Sequence, residues 1–180
     1  MANPANPLEQ LIALEQKGRR HIVDLATDED RREYWRAVSL RVADYMFLLD
    51  QGDVAELLTL PPITMVPGTK QWVAGVANVR GQLLPIVNFG QFLFQQPVVA
   101  SKKTRILVVV HDDVRSGLIV DQVYGMRRFP VDELKPAKTE AMPDKLKPMV
   151  SGCYEEDQVF HILDVNKLVN ESEFMQAAAA

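Results

Sequence analysis

The chain has 180 residues, 47% of them hydrophobic, with 20 basic and 24 acidic side chains, a net charge of -4 and an isoelectric point near 5.4. That balance argues against wholesale nucleic-acid or anionic-membrane binding, and no apolar run approaches the roughly 20 residues that cross a bilayer. A single cysteine, Cys153, excludes an internal disulfide and suits a reducing cytoplasm, and the opening MANPANPLEQ lacks the basic and apolar regions of a secretory signal.

Residues 8 to 34 read as helical: Leu8, Leu11, Ile12, Glu15 and Arg19 share one face, and Thr27-Asp28-Glu29-Asp30 offers a cap and acidic first turn for a second short helix. The pattern changes at Trp35. Ala37 to Val42 alternates like a half-buried strand, Ala43-Asp44 supplies a turn, and Tyr45 to Leu49 returns as a more buried strand. Asp50-Gln51-Gly52-Asp53 breaks it, and Val54 to Leu58 forms the next short strand. Pro61-Pro62 and Pro67-Gly68 punctuate the approach to Trp72. Trp72 to Leu93 holds a hairpin, ending in one or two helical turns from Asn88. After a linker over 95 to 103, strands resume at Thr104 to Val110, Arg115 to Val120 and Asp121 to Phe129. A charged, proline-broken connection over 130 to 148 precedes a last hairpin, Met149 to Tyr154 and Gln158 to Leu163. The Ala177 to Ala180 tail is of low complexity.

Two halves echo each other. Pro85-Ile86-Val87-Asn88-Phe89 resembles His161-Ile162-Leu163-Asp164-Val165, and Leu49-Asp50-Gln51 answers Val120-Asp121-Gln122. In both halves an Asx residue ends a buried strand, where its side chain can cap the following turn. Chance similarity among short strands is the bland reading. Duplication is the sharper one, and it places two small barrels at residues 36 to 93 and 104 to 169.

Within the Trp72–Leu93 stretch, Trp72 is expected to anchor the hairpin to the core, and Gly75 to allow a close approach or a backbone angle other residues resist. Val76, Asn78 and Arg80 share a strand face. Proline cannot donate at a bonded ladder position, so Pro85 favours a register with Arg80-Gly81 at the centre of the turn and Val76 opposite Pro85. Arg80 can brace the hairpin through a carboxylate or contact a partner, and Glu56 is the carboxylate expected opposite it.

These residues resemble a known family. Gly75-Val76-x-Asn78-x-Arg80-Gly81 followed by Pro85-Ile86-Val87-Asn88-Phe89 is similar to the signature of CheW, the chemotaxis coupling protein; Val54-x-Glu56, Gly117-Leu118-Ile119-Val120-Asp121-x-Val123, Gly152 and Asp164 also fit, in order, over about residues 36 to 169. The resemblance implies a mainly β fold, a pair of SH3-like five-stranded barrels sharing a core, over residues 36 to 175, with a helical extension over 1 to 35. It implies a cytoplasmic adaptor, recruited to membrane-associated receptor arrays, that couples methyl-accepting chemoreceptors to the regulatory domain of a CheA-type histidine kinase. Neither catalysis nor a cofactor is implied. By position, Val54, Glu56, Asn78, Arg80, Gly81, Gly117 and Val123 are the candidate partner-binding residues. The N-terminal segment and the phrases GVANVRG, SGLIVD and FPVDEL look like the branch serving type IV pili and twitching motility; flagellar chemotaxis is the alternative. Two departures stand out: Asn88 replaces the family's usual acidic residue, and Cys153-Tyr154-Glu155 replaces its common run of small residues.

Other functions have weaker support. His21, His111 and His161 show no ligand spacing, Cys153 reads as a small buried hydrophobe, and Asp112-Asp113 reads as turn chemistry. Arg127-Arg128-Phe129 with Lys102-Lys103 could form a basic–aromatic nucleic-acid patch, although solvated strand ends explain it better in an acidic chain.

Overall fold

β-branched and aromatic runs, broken by Asx and glycine turns, give ten strands among residues 32–177, the residues that the computed structural model describes. The strands are β1 (Tyr34–Val42), β2 (Tyr45–Asp50), β3 (Val54–Leu58), β4 (Val73–Val79), β5 (Gln82–Asn88), β6 (Arg105–His111), β7 (Val114–Val120), β8 (Gln122–Pro130), β9 (Val150–Glu155) and β10 (Val159–Leu163). Short helices α1 (Phe89–Phe94), α2 (Val165–Val169) and α3 (Ser172–Met175) follow β5 and β10. The helices expected before residue 32 fall outside the described residues. Tyr34, expected at the end of a helix, is already in a strand because it pairs with Pro130 across the β1–β8 ladder.

The strands form two five-stranded sheets, ordered β8-β1-β2-β10-β9 and β3-β6-β7-β5-β4. Each closes towards a barrel through one isolated bridge. In the first barrel, Lys135 beyond β8 exchanges two backbone hydrogen bonds with Cys153 on β9; in the second, Thr64 beyond β3 does the same with Val76 on β4. The fold is mainly β, as expected.

The barrels are not, however, the contiguous stretches 36 to 93 and 104 to 169. The duplication is present, but the halves exchange strands. After Asp50 the chain crosses over, so β3 pairs with β6. After Asp121 it crosses back, so β8 pairs with β1. Parallel pairs β10–β2 and β5–β7 complete the exchange. Each barrel therefore takes its opening hairpin from one half and its other three strands from the other.

This exchange generates the shared core. Val38, Leu40 and Leu49 from one sheet and Val87, Leu107, Val109 and Leu118 from the other belong to one buried cluster, closed by Phe92, Leu168 and Phe174 from the helices. Each barrel also has a small interior cluster, around Leu48, Phe129 and Phe160 in the first and Ile86, Ile106 and Val108 in the second. β1 is consequently buried on both faces at its centre, and its alternation separates two cores rather than core from solvent. Trp72 anchors the β4–β5 hairpin as expected, stacked on Phe174 and edge-on to Phe92.

The echoed Asx residues perform matching jobs. Asn88 Oδ1 accepts from Gln91 N–H at 3.1 Å, and Asp164 Oδ1 from Lys167 N–H at 3.1 Å, each capping a helix. Asn88 also holds the linker: Val98 N–H donates to its Oδ1 at 2.9 Å, and its Nδ2 donates to Val98 O at 3.3 Å. The amide can serve both tasks, which explains why a neutral residue suits this position; a carboxylate cannot donate to Val98 O. Asn88→Asp is therefore expected to keep the cap yet lose about 1 kcal/mol of stability through the linker bond, measured by urea unfolding at neutral pH.

Candidate partner-binding site

Arg80 and Gly81 form the two-residue turn between β4 and β5, with Val79 opposite Gln82 and Val76 opposite Pro85. The expected register is the observed one. Both turn residues have positive φ, 51° and 82°, the signature of a turn whose twist matches a hairpin. Asn78 fastens the turn by accepting the Gly81 N–H at 2.9 Å. Asparagine is a preferred first residue for such a turn, whereas arginine is strained there by about 1–2 kcal/mol.

A carboxylate across the barrel mouth pairs with this arginine. Arg80 Nη2 lies 2.6 Å from Glu56 Oε1, with the Glu56 side chain 15% exposed and that of Arg80 81% exposed. The anion is held in the mouth while most of the guanidinium faces solvent. The expected Glu56–Arg80 pair is present, so bracing and exposure coexist in one residue.

A second arginine, which the local sequence pattern did not single out, completes the cluster. Arg115 Nη2 lies 3.9 Å from Glu56 Oε2, and Arg115 Nη1 donates to Gln82 Oε1 at 3.1 Å. Only the parallel placement of β7 beside β5 brings it to the mouth.

The other candidates divide. Val54 and Val123 occupy corresponding places in the two halves and lie partly buried against the shared core, Val54 from the second barrel and Val123 from the first. Gly117 requires a correction: it is buried inside the second barrel and has no face for a partner. A Cβ there would lie 2.7 Å from Ile86 Cδ1 and 2.8 Å from Ile106 Cγ2, so glycine is needed for packing. Within the expected basic–aromatic patch, Arg127 is engaged inside the fold. Arg127 Nη2 donates to both carboxylate oxygens of Glu156, Oε1 at 2.9 Å and Oε2 at 2.7 Å, and the guanidinium packs over Phe129 and Phe160.

The two described histidines differ in their surroundings. His161 is buried beside Tyr45 and Phe47, its Nδ1 has no hydrogen-bond partner, and burial pushes its imidazole pKa down. His111 Nδ1 lies 3.1 Å from Asp53 Oδ1, joining the end of β6 to the residue before β3. That hydrogen bond, aided by the charges of Asp112, Asp53 and Asp164 and opposed by desolvation, raises its pKa above the ordinary 6.5. The resulting stabilisation is fully present below the unfolded value and is lost as pH rises through the raised folded value. An NMR titration should show a His111 midpoint above 6.5 that moves back down in Asp53→Asn; an unchanged midpoint in the variant would remove Asp53 as the cause.

A family model for the CheW-like domain matches residues 36–173. This chain belongs to the CheW-like family. Over 181 aligned residues it is 35% identical to Protein PilI of Pseudomonas aeruginosa, covering 99% of both chains. It is 28% identical to Protein FrzA of Myxococcus xanthus over 72% of this chain and 81% of that one. With Chemotaxis protein CheW of Thermotoga maritima it shares 26% identity, over 82% of this chain and 95% of the other. The crystal structure of the scaffolding protein TtCheW from Thermoanaerobacter tengcongensis superposes with a TM-score of 0.68, covering 78% of this chain and 95% of that chain at 23% identity. That likeness shows a CheW-like fold for this chain.

Proposed function

We propose that this protein is a non-enzymatic adaptor that couples the cytoplasmic tips of methyl-accepting chemoreceptors to the regulatory domain of a CheA-type histidine kinase. By its full-length likeness to PilI, we assign it to a chemosensory system controlling type IV pili and twitching motility. In this reading it works in the cytoplasm, recruited to receptor arrays, and inserts no segment into the membrane. No described helix is long and apolar enough to cross one.

The observation that carries the docking role is the Arg80 side chain, 81% exposed on a left-handed backbone and held by a nearly buried Glu56. A turn selected for folding alone would carry asparagine at that position. Arginine, orientated in advance by a carboxylate, presents donors to a partner with less ordering entropy left to lose. Glu56, Asn78, Arg80 and Gly81 form the centre of the proposed contact, with Val54 and Val123 at the junction of the barrels.

Arg80→Asn separates bracing from binding. Asn-Gly suits the turn, so stability should stay within about 1 kcal/mol of the parent. Pull-down of receptor and kinase with the full chain should nevertheless fall sharply. Normal assembly by a folded Arg80→Asn protein would sink the proposed site. Co-purification of the native complex distinguishes the pilus pathway from flagellar chemotaxis, because the captured kinase identifies the system.

A further inference from the structure

The exposed end of the β1–β8 ladder carries a charge pattern that folding does not favour. Their ladder sets Arg36 directly opposite Arg128, with Tyr34 opposite Pro130 and Val38 opposite Met126. Directly opposed residues in an antiparallel pair project to the same side about 4.5–5.5 Å apart, and like charges placed so are destabilising. No ion pair among the described residues includes either arginine. Arg128 instead lies over the Tyr34 ring, 5.6 Å from its centroid. The contrast with Arg127, one residue earlier on the same strand and ion-paired with Glu156, is direct.

The arginines are flanked by apolar surface. Met126 is 57% exposed, Tyr124 51% and Tyr34 36%. β8 is a terminal strand in the sheet order, and its register shifts where Ser39 gives way to Leu40, beside a Gly125 with φ of 104°. The strip belongs to the first barrel, whereas the Glu56 cluster lies at the mouth of the second.

We propose that this β1–β8 face docks an acidic protein segment, with Arg36 and Arg128 receiving its carboxylates and Tyr34, Tyr124 and Met126 covering its apolar side chains. A carboxylate placed between the two guanidinium groups turns a repulsive pair into two charge-assisted hydrogen bonds. Tyrosine, methionine and arginine are the residue types enriched at protein interfaces. A nucleic acid fits less well: phosphate-backbone affinity grows with the number of cations that neutralise phosphates, and this strip offers two in a chain of net charge -4. The inference stands apart from the adaptor reading, because it draws on different residues.

The test uses the full chain and a fluorescent peptide of alternating glutamate and leucine, with a lysine–leucine counterpart, an oligouridine and sedimentation of the protein alone as comparisons. Polarisation should show binding of the glutamate peptide alone, weakening as salt is raised. The double variant Arg36→Glu/Arg128→Glu should lose at least about tenfold in affinity, and Tyr124→Ala/Met126→Ala should weaken binding as well. The single variant Arg128→Glu replaces repulsion by attraction across the ladder, so its melting temperature should rise by about 1–3 °C while binding falls. Undiminished binding by the double variant, preference for the oligouridine, self-association abolished by the same substitutions, or a lowered melting temperature in Arg128→Glu would each overturn the proposal.

Discussion

Gly75→Ala is expected to cost about 4 kcal/mol of stability, from two sources of about 1–3 kcal/mol each, backbone strain and overpacking. Gly75 has a φ of 135°, and a Cβ there would fall 2.2 Å from the Thr64 carbonyl oxygen and 2.8 Å from its carbon. Those atoms are backbone, and Thr64 exchanges both hydrogen bonds with Val76 to bring the edges of the second barrel together. The added methyl therefore displaces the closure itself, and no side-chain rotation can relieve it. Gly81→Ala provides the comparison. Its φ of 82° is also positive, but a Cβ there meets nothing within 4 Å, so only the strain of about 1–2 kcal/mol applies. Urea unfolding of both variants, followed by circular dichroism, measures the difference. Equal losses would show that close approach to Thr64 contributes nothing.

Glu56→Arg has the largest expected effect on coupling. It removes the anion that Arg80 and Arg115 share and places a third guanidinium in the same mouth. Like-charge juxtaposition at an interface costs several kcal/mol. Capture of receptor and kinase should fall by at least about tenfold, while the far-UV spectrum retains its β signature. Adding Arg80→Glu should restore part of the loss, since the pair is rebuilt with its charges exchanged. Rescue should remain incomplete, because Arg115 then faces an arginine where it had faced a carboxylate 3.9 Å away. Full rescue would mean that Arg115 has no share in the site, and no rescue would mean that Glu56 and Arg80 act separately.

Much of this site was legible in the sequence because it is encoded locally. Pro85 selects the register, Gly81 selects the turn, and Asn78 is close enough along the chain to fasten it. Glu56 was expected opposite Arg80 from its place on the strand after Asp53-Val54, and the pair is present. Gly117 was misread. A glycine within a motif suggests a contact surface, but its lack of a side chain here makes room for Ile86 and Ile106.

The sequence by itself determined the strands, their turns, the Asx caps and the existence of two related halves, because each depends on neighbours a few residues apart. Only the tertiary structure decided which strands share a barrel. The crossings after Asp50 and Asp121 exchange the opening hairpins β1–β2 and β6–β7 between the halves, and duplicated strands offer similar edges for pairing within or between them. The same long-range choice brings Arg115 to Glu56 and sets Arg36 against Arg128. No local pattern encodes those meetings, since they arise from pairing between strands far apart in the chain and from burial of one core between two barrels.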